Sequence, residues 1–229
     1  MTAKQLKHIA PYITEENLKI FVPLLNESLW KYGIDLPERL CCFISQVAHE
    51  SGSFNYTEEI ASGEAYENRV DLGNTQPGDG IRFKGRGLIQ VTGRSNYAEC
   101  SKWLFNDIRL LESPVLLSQP KYAVLSAIWY WVKKNLNYYA DKPNTWTKEW
   151  RGRPYFKFEY ITILINGGLN GLKDRYGFYQ RAKQFQIEFL KEYLAIMNEL
   201  ADELKQELEL IGDTKQDSDL SLSSPSKGK

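Results

Sequence analysis

The chain has little of what metal, redox and nucleophile chemistry usually require. Its 229 residues include three cysteines, two histidines and two methionines. Cys41 and Cys42 are adjacent and the count is odd, so the thiols cannot form a fully paired disulfide framework. They read as buried thiols of a chain folded in a reducing compartment. Lone Cys100 gives the pair no zinc spacing. His49-Glu50 opens like a zincin helix, but Ser53 stands where the second histidine of H-E-x-x-H belongs. There is no G-x-S-x-G elbow and no Gly-Lys-Ser/Thr, and Gly85-Arg86-Gly87 runs on to Gln90 rather than to a third glycine. No metal and no cofactor is expected.

Net charge is lacking as well. Lys+Arg and Asp+Glu each number 29, which disfavours a globally basic nucleic-acid binder or an acidic solvating chain. That zero conceals a division. Residues 1–185 hold 24 basic against 19 acidic side chains, a surplus of +5, and residues 186–229 hold 5 against 10, a deficit of −5. The longest apolar run, Ala123 to Val132 with Ser126 inside it, is too short to insert across a bilayer. The opening MTAKQLKHIAPYIT lacks the apolar core and cleavage site of a signal peptide. Cytoplasmic synthesis is expected, with any action outside the cell depending on another protein for release.

What is present is enough apolar matter for a core, 42% of residues with 13% aromatic, in a mostly helical pattern. Thr14 before Glu15 and Glu16 reads as an N-cap with an acidic first turn, and Leu18, Phe21, Leu24, Leu25, Leu29 and Trp30 follow at near-helical spacing to Gly33. Pro23 should split or kink that helix. Pro37 opens a second helix with Leu40, Phe43, Ile44 and Val47 on its apolar face. From Ser51 to Gly93 the period disappears and eight of the sixteen glycines gather, which predicts a long loop or short-hairpin region. Helical patterning returns at 96–105, 121–136 and 155–164, the last halted by Asn166-Gly167-Gly168. Leu190, Leu194, Met197, Ala201, Leu204, Leu208 and Ile211 then form an a/d seam ending at Gly212. That seam suits a helix packed on its own domain or one that associates with a partner or a second copy. The expected division is a catalytic domain at 1–185, the heptad helix at 186–212 and a disordered Ser-, Asp- and Lys-rich tail at 213–229.

The chemistry left to such a chain is that of carboxylates. Glu50 ends an apolar helical face, and Phe43, Val47 and Phe54 around it would disfavour its charged form. Glu58 and Glu59 follow across a Ser51-Gly52-Ser53 turn, close enough for a chain reversal to face one of them toward Glu50. Two carboxylates in unlike environments suffice for glycoside hydrolysis, one as acid and one as base or nucleophile.

Three strings sharpen this reading. His49-Glu50-Ser51-Gly52, Tyr56-Thr57-Glu58-Glu59 and the segment Gly85 to Tyr97 (GRGLIQVTGRSNY) are similar to glycoside hydrolase family 19, which includes chitinases and the endolysins of phages and bacteria. Ile165-Asn166-Gly167-Gly168 and Arg175 to Arg181 (RYGFYQR) resemble its second active-site block, so the likeness covers roughly residues 35–185. It implies a mainly α, lysozyme-like, two-lobed helical domain with a small loop or hairpin region lining the cleft, plus here a long C-terminal helix. It implies Glu50 as general acid, Glu59 as general base with Glu58 in reserve, and Thr92 as the hydroxyl that positions water. Gln90, Asn96 and Asn166 would hold sugar hydroxyl and acetamido groups, and Arg175 would stand near Glu59 and keep it ionised. The family is inverting, which calls for carboxyl groups about 6.5–9.5 Å apart. One departure is Ser53, which replaces the second glycine expected after the acid and matters if the turn needs a positive φ there.

The short acid–base spacing and the absent disulfides look like the phage and bacterial form. The function implied is cleavage of β-1,4 bonds in peptidoglycan glycan strands, an endolysin. A chitinase on GlcNAc polymers and a non-catalytic glycan-binding or assembly module are the alternatives. Segment 81–94, with Arg82, Lys84, Arg86, Arg94 and Phe83, also has the interleaving of an anionic-polymer strand, though family resemblance accounts for it better than nucleic acid. Trp129, Tyr130 and Trp131 read as core and cleft wall. Trp146 and Trp150 are candidates for sugar stacking.

Overall fold

The computed structural model describes residues 1–221, with side chains described through Leu208. The chain divides into two compact units, Met1–Phe189 and the segment from Leu190 onward. The first unit is a helical body. It opens with α1 (Ala3–Ile9) and α2 (Glu15–Ser28), followed by the central α3 (Pro37–Glu50). Short turns then lead through α4 (Asp79–Arg82) to α5 (Arg94–Phe105), α6 (Arg109–Glu112), α7 (Pro120–Lys133) and α8 (Leu136–Ala140). A two-stranded hairpin, β1 (Thr147–Trp150) and β2 (Arg153–Phe156), precedes α9 (Lys157–Asn166) and α10 (Leu172–Lys183).

Local signals account for most boundaries. Thr2 and Gln5 form a reciprocal capping box on α1, and Thr14 accepts from the Asn17 amide at the start of α2. Pro23 does not split the helix: α2 is continuous from Glu15 to Ser28. Pro23 lies on the exposed face, so the carbonyl it leaves unbonded one turn earlier can be satisfied by solvent while Phe21 and Leu25 stay buried. Gly33, at φ +66°, stops the 3-10 turn that follows.

Helix α3 is the axis of the body. Nine of its consecutive residues, Leu40 through Ala48, are buried, so it is surrounded rather than amphipathic. Cys41 and Cys42 lie in it fully enclosed, and all three thiols are free and buried, with burial pushing Cys41 and Cys100 up to about 12. Helix α10 packs along α3 in the opposite direction. Its first turn meets the C-terminal end of α3, and its last turn meets Glu38.

The glycine-rich segment 51–93 has no long element. Isolated bridges Glu58↔Arg86 and Arg86↔Val91 fold it back on itself. The hairpin at 147–156 was not expected. Its one sequence signal is Arg151-Gly152, both at positive φ, a turn that matches the twist of paired strands.

Helix α11 spans Gln186–Ser221, with Phe189 buried in the first unit. It runs straight through Gly212, where the sequence suggested a stop, so 213–221 is helical. A glycine with no proline after it costs a helix only about 1 kcal/mol and does not have to end it. The remainder of the expected tail, 222–229, lies outside the described residues. None of the described helices is long and apolar enough to cross a membrane.

Candidate active site

The seven site residues read from the sequence fall into two polar groups on different supports. The first is built where α3 ends and α10 begins. Glu50, the last residue of α3, accepts at Oε1 from Arg175 Nη2 over 2.5 Å. Arg175 is buried to 1% exposure, and its other donors are committed: Nη1 to Gln46 Oε1 at 2.6 Å and Nε to the Asn170 carbonyl at 3.1 Å. Gln46 in turn donates to Thr162, whose hydroxyl donates to the Phe158 carbonyl. Asn166, last residue of α9, also donates to the Asn170 carbonyl, at 3.1 Å. One backbone oxygen therefore ties the amide and the guanidinium together.

This placement corrects one expectation. Arg175 stands against Glu50, not Glu59. The antiparallel packing of α3 on α10 decides it, because the final residue of one helix necessarily faces the first turn of the other. Next to this pair, His49 Nδ1 and Asp174 Oδ2 lie 2.7 Å apart, a second tie between the same two helix ends. Tyr130 on α7 donates to the Ile165 carbonyl nearby, and burial followed by the charge of Glu50 raises its phenol above the usual range.

The second group is built on segment 57–96. Glu59 Oε1 accepts from the Tyr66 hydroxyl at 2.9 Å, and Oε2 accepts from the Gly85 amide at 3.0 Å. A Cβ at residue 85 would lie 2.8 Å from Gln90 Oε1 and 3.1 Å from Glu59 Oε2, so only glycine lets both side chains close over the backbone there. Gln90 is itself held at φ +55° and donates to the Gly87 carbonyl at 2.9 Å. Thr92 Oγ1 donates to the Gln90 carbonyl, and Asn96 Nδ2 to the Thr92 carbonyl, both at 2.9 Å. Lys133 on α7 closes the series by donating to Asn96 at 3.2 Å. Glu59, Gln90, Thr92 and Asn96 are thus brought together. Among the described residues no hydrogen bond joins this group to the Glu50 group, and α7 touches both through Lys133 and Tyr130.

Glu58, the reserve candidate, is occupied otherwise. Lys84 at 3.2 Å, Arg86 at 3.1 Å and Ser118 at 3.2 Å surround it. Burial alone would raise its carboxyl, but these partners outweigh it and hold it below the usual range. The cations of segment 81–94 are likewise used inside the fold. Arg82 donates to the Leu111 carbonyl, and Arg94 grips Asp79 at 2.5 Å. Trp129 and Trp131 are buried and Tyr130 half-buried. Trp146 packs among Tyr139 and Tyr160, and Arg151 covers the ring of Trp150 at 4.3 Å. Ser53 does occupy the left-handed region, at φ +61°, followed by Phe54 at φ +63°.

Several residues of the site escaped the sequence reading. Gln46 stands four residues before Glu50, a spacing that puts both on one helix face and would have flagged it. Tyr66, the Gly85 amide and Asp174 carry no local signal of contact with the carboxylates.

The mainly helical body thus carries two separately supported carboxylates, Glu50 and Glu59. Residues 41–203 match the family model described as chitinase class I, glycoside hydrolase family 19. The chain belongs to that family. A glycosyl hydrolase family 19 domain-containing protein of Haemophilus influenzae is 31% identical over 169 residues, which is 60% of this chain and 75% of that one. An endochitinase of Arabidopsis thaliana is 38% identical over 102 residues, and there the match spans 44% of this chain and about a third of the relative's length, 34%. Among solved structures, chitinase C from Streptomyces griseus shares the fold with a TM-score of 0.57 at 20% identity, over 81% of this chain and 91% of that one.

Proposed function

We propose that the protein hydrolyses β-1,4 bonds in chitin-like GlcNAc polysaccharides with inversion, using Glu50 as general acid and Glu59 as general base. The observation that carries this reading is the contrast between the two carboxyl supports. Glu50 accepts one bond, at Oε1, and its Oε2 has no hydrogen-bond partner among the described residues. That oxygen is available to hold a proton against the leaving glycosidic oxygen. Glu59 accepts one neutral donor on each oxygen, which leaves a lone pair on each to accept from water. The Thr92 hydrogen is committed to the Gln90 carbonyl, so its oxygen offers acceptor lone pairs for orienting that water. Gln90, Asn96 and Asn166 supply amides for sugar hydroxyl and acetamido groups. The endochitinase relatives support GlcNAc polymers as the substrate class.

The test is digestion of soluble chito-oligosaccharides with product anomers read directly. α-Anomers from the wild type, and loss of at least about a thousandfold in kcat for Glu50→Gln and Glu59→Gln, are expected. Retention of configuration would make Glu59 a nucleophile and sink the assignment.

Peptidoglycan glycan strands are the second reading, favoured by the +5 surplus of residues 1–185, which suits an anionic wall polymer. In that case the enzyme is made in the cytoplasm and reaches the wall after another protein opens the way. Turbidity loss on purified walls with no turnover of chito-oligosaccharides would select it. The heptad seam from Leu190 to Leu208 suits association with a partner helix or a second copy, which sedimentation of the full chain tests directly.

A further inference from the structure

The end of α3 opposite Glu50 carries a second polar and aromatic concentration that the reaction does not use. Glu38 stands in the first turn of α3 and Glu50 at its last residue, so at 1.5 Å per residue they are about 18 Å apart along the axis. Glu38 is held by Lys157 at 2.8 Å, Lys183 at 3.1 Å, Gln186 at 2.7 Å and the Tyr179 hydroxyl. Beside this cluster is a cavity of about 450 Å³ whose wall includes Phe156, Tyr176, Tyr179, Gln180 and Asn144. Ligand sites of small proteins are commonly of this size.

Three features of the cavity point to one ligand chemistry. Its charges cancel: Lys157 and Lys183 face Glu38 within the cluster, and Glu159 is spent on the Phe156 amide at 2.8 Å. An ionic ligand therefore finds little net attraction. Two aromatic side chains are presented outward, Phe156 at 55% and Tyr176 at 43% exposure. Tyr176 is braced from behind by Phe158 at 5.3 Å and Tyr179 at 5.7 Å, so its ring is fixed rather than free to fold away. The remaining polar groups, Asn144 and Gln180, are exposed amides, donors and acceptors suited to hydroxyl and acetamido groups. A fixed ring offers its negative face to the polarised C–H groups of a sugar.

The cavity also has an outlet. A more open depression along the outer face of α10 is lined by Leu172, Lys173, Tyr176, Gly177 and Gln180, and it shares Tyr176 and Gln180 with the cavity. Gly177 has no conformational need to be glycine. Its φ is not positive, and an added Cβ would meet only Arg181 Nη1 at 3.5 Å, ordinary contact. A mid-helix glycine costs about 1 kcal/mol relative to alanine. What its missing side chain does provide is the furrow between Tyr176 and Gln180. The depression leads to Leu172, the end of α10 where Asp174 and Arg175 meet His49 and Glu50.

We propose that this cavity and furrow form a second saccharide-binding site, which holds a short neutral β-linked N-acetylhexosamine stretch of the polymer along the outer face of α10, outside the cleavage site. The choice of sugar rests on the substrate reading above; the site itself does not. Its role is to keep the enzyme on an insoluble chain between cuts.

The test uses the full chain with Glu50→Gln, so that ligand survives, titrated with GlcNAc tetrasaccharide and followed by amide chemical shifts. Two sets of shifts are expected, one near Glu59 and Gln90 and one near Phe156, Tyr176 and Gln180. Phe156→Ala, Tyr176→Ala and the furrow-filling Gly177→Leu should each weaken the second set about tenfold. In otherwise wild-type protein the same three changes should leave tetrasaccharide turnover within about twofold and lower binding to insoluble chitin about tenfold. Because leucine is a better helix former than glycine, Gly177→Leu separates the site from a folding defect. Shifts confined to the cleft, with polymer binding unchanged in all three variants, overturn the second site and leave the chitinase reading standing. Shifts in neither region overturn both.

Discussion

Arg175 donates to Glu50 over 2.5 Å and to Gln46 over 2.6 Å, so one buried guanidinium sets the position of the proposed proton donor from behind. This fork, rather than a charge beside Glu59, is the main electrostatic fixture of the site. Removing it with Arg175→Ala leaves Gln46 Oε1 and Glu50 Oε1 without their donor. A stability loss of about 3–5 kcal/mol is expected by thermal or urea unfolding, together with a fall in kcat. Arg175→Lys keeps the charge but not the fork, and should recover stability more than activity. Wild-type melting and turnover in Arg175→Ala would refute the fixture.

Tyr66 tests the other carboxylate. Burial, and then its bond to Glu59, raise the phenol above its usual range, so it remains a donor well into alkaline solution. Tyr66→Phe removes one of the two donors to Glu59. About a tenfold drop in kcat with KM little changed is expected, since one hydrogen bond to a charged group is worth about 1.5–3 kcal/mol. Wild-type kcat in Tyr66→Phe would contradict the contact's part in catalysis.

Gly85→Ala places a methyl group between the base and Gln90. Both oxygens must retreat, and a misplacement on the order of 1 Å can cost about a hundredfold in rate. The backbone at 85 has no positive φ, so the melting temperature should change little while kcat falls. Unaltered kcat would show that the close approach has no catalytic consequence.

Thr92→Ala should cost less than either carboxylate change, roughly ten- to a hundredfold in kcat, because a hydroxyl aligns water without exchanging a proton. Loss equal to that of Glu59→Gln would assign Thr92 a larger part.

Asp79 predicts the acid limit of stability. Its carboxylate, 1% exposed, accepts from Arg94 and from the Thr75 and Gln76 amides, and the Arg94 bond first of all holds it below its usual range. A carboxyl lowered in the folded state stabilises above its unfolded value, about 3.9, and that contribution is lost as pH falls through the folded value. Asp79→Asn should therefore lower stability at neutral pH by about 3 kcal/mol and flatten the fall below about pH 4. An unchanged acid slope would remove Asp79 from the account.

The local code of the chain was legible without a structure. Capping at Thr14, the proline start of α3, the stop at Gly167 and the irregular stretch 51–93 each follow from neighbours a few residues apart. The family was legible too, because the motifs that carry it reside in contiguous strings. Gly212 was misread as a stop because its effect depends on surroundings: helix on both sides carries the chain through it, as α2 also continues through Pro23 on its exposed face.

What the tertiary structure alone decided is which groups meet. Arg175 and Glu50 lie 125 positions apart in the chain, and only antiparallel packing of α10 on α3 makes them neighbours. The same packing gathers Lys157, Lys183 and Gln186 on Glu38 at the far end. Tyr66 reaches Glu59 through an irregular seven-residue reversal with no period to read. Sequence determines which side chains carry protons and where helices begin. The cost and gain of burying those side chains together, set by contacts between distant segments, determine which of them form a site.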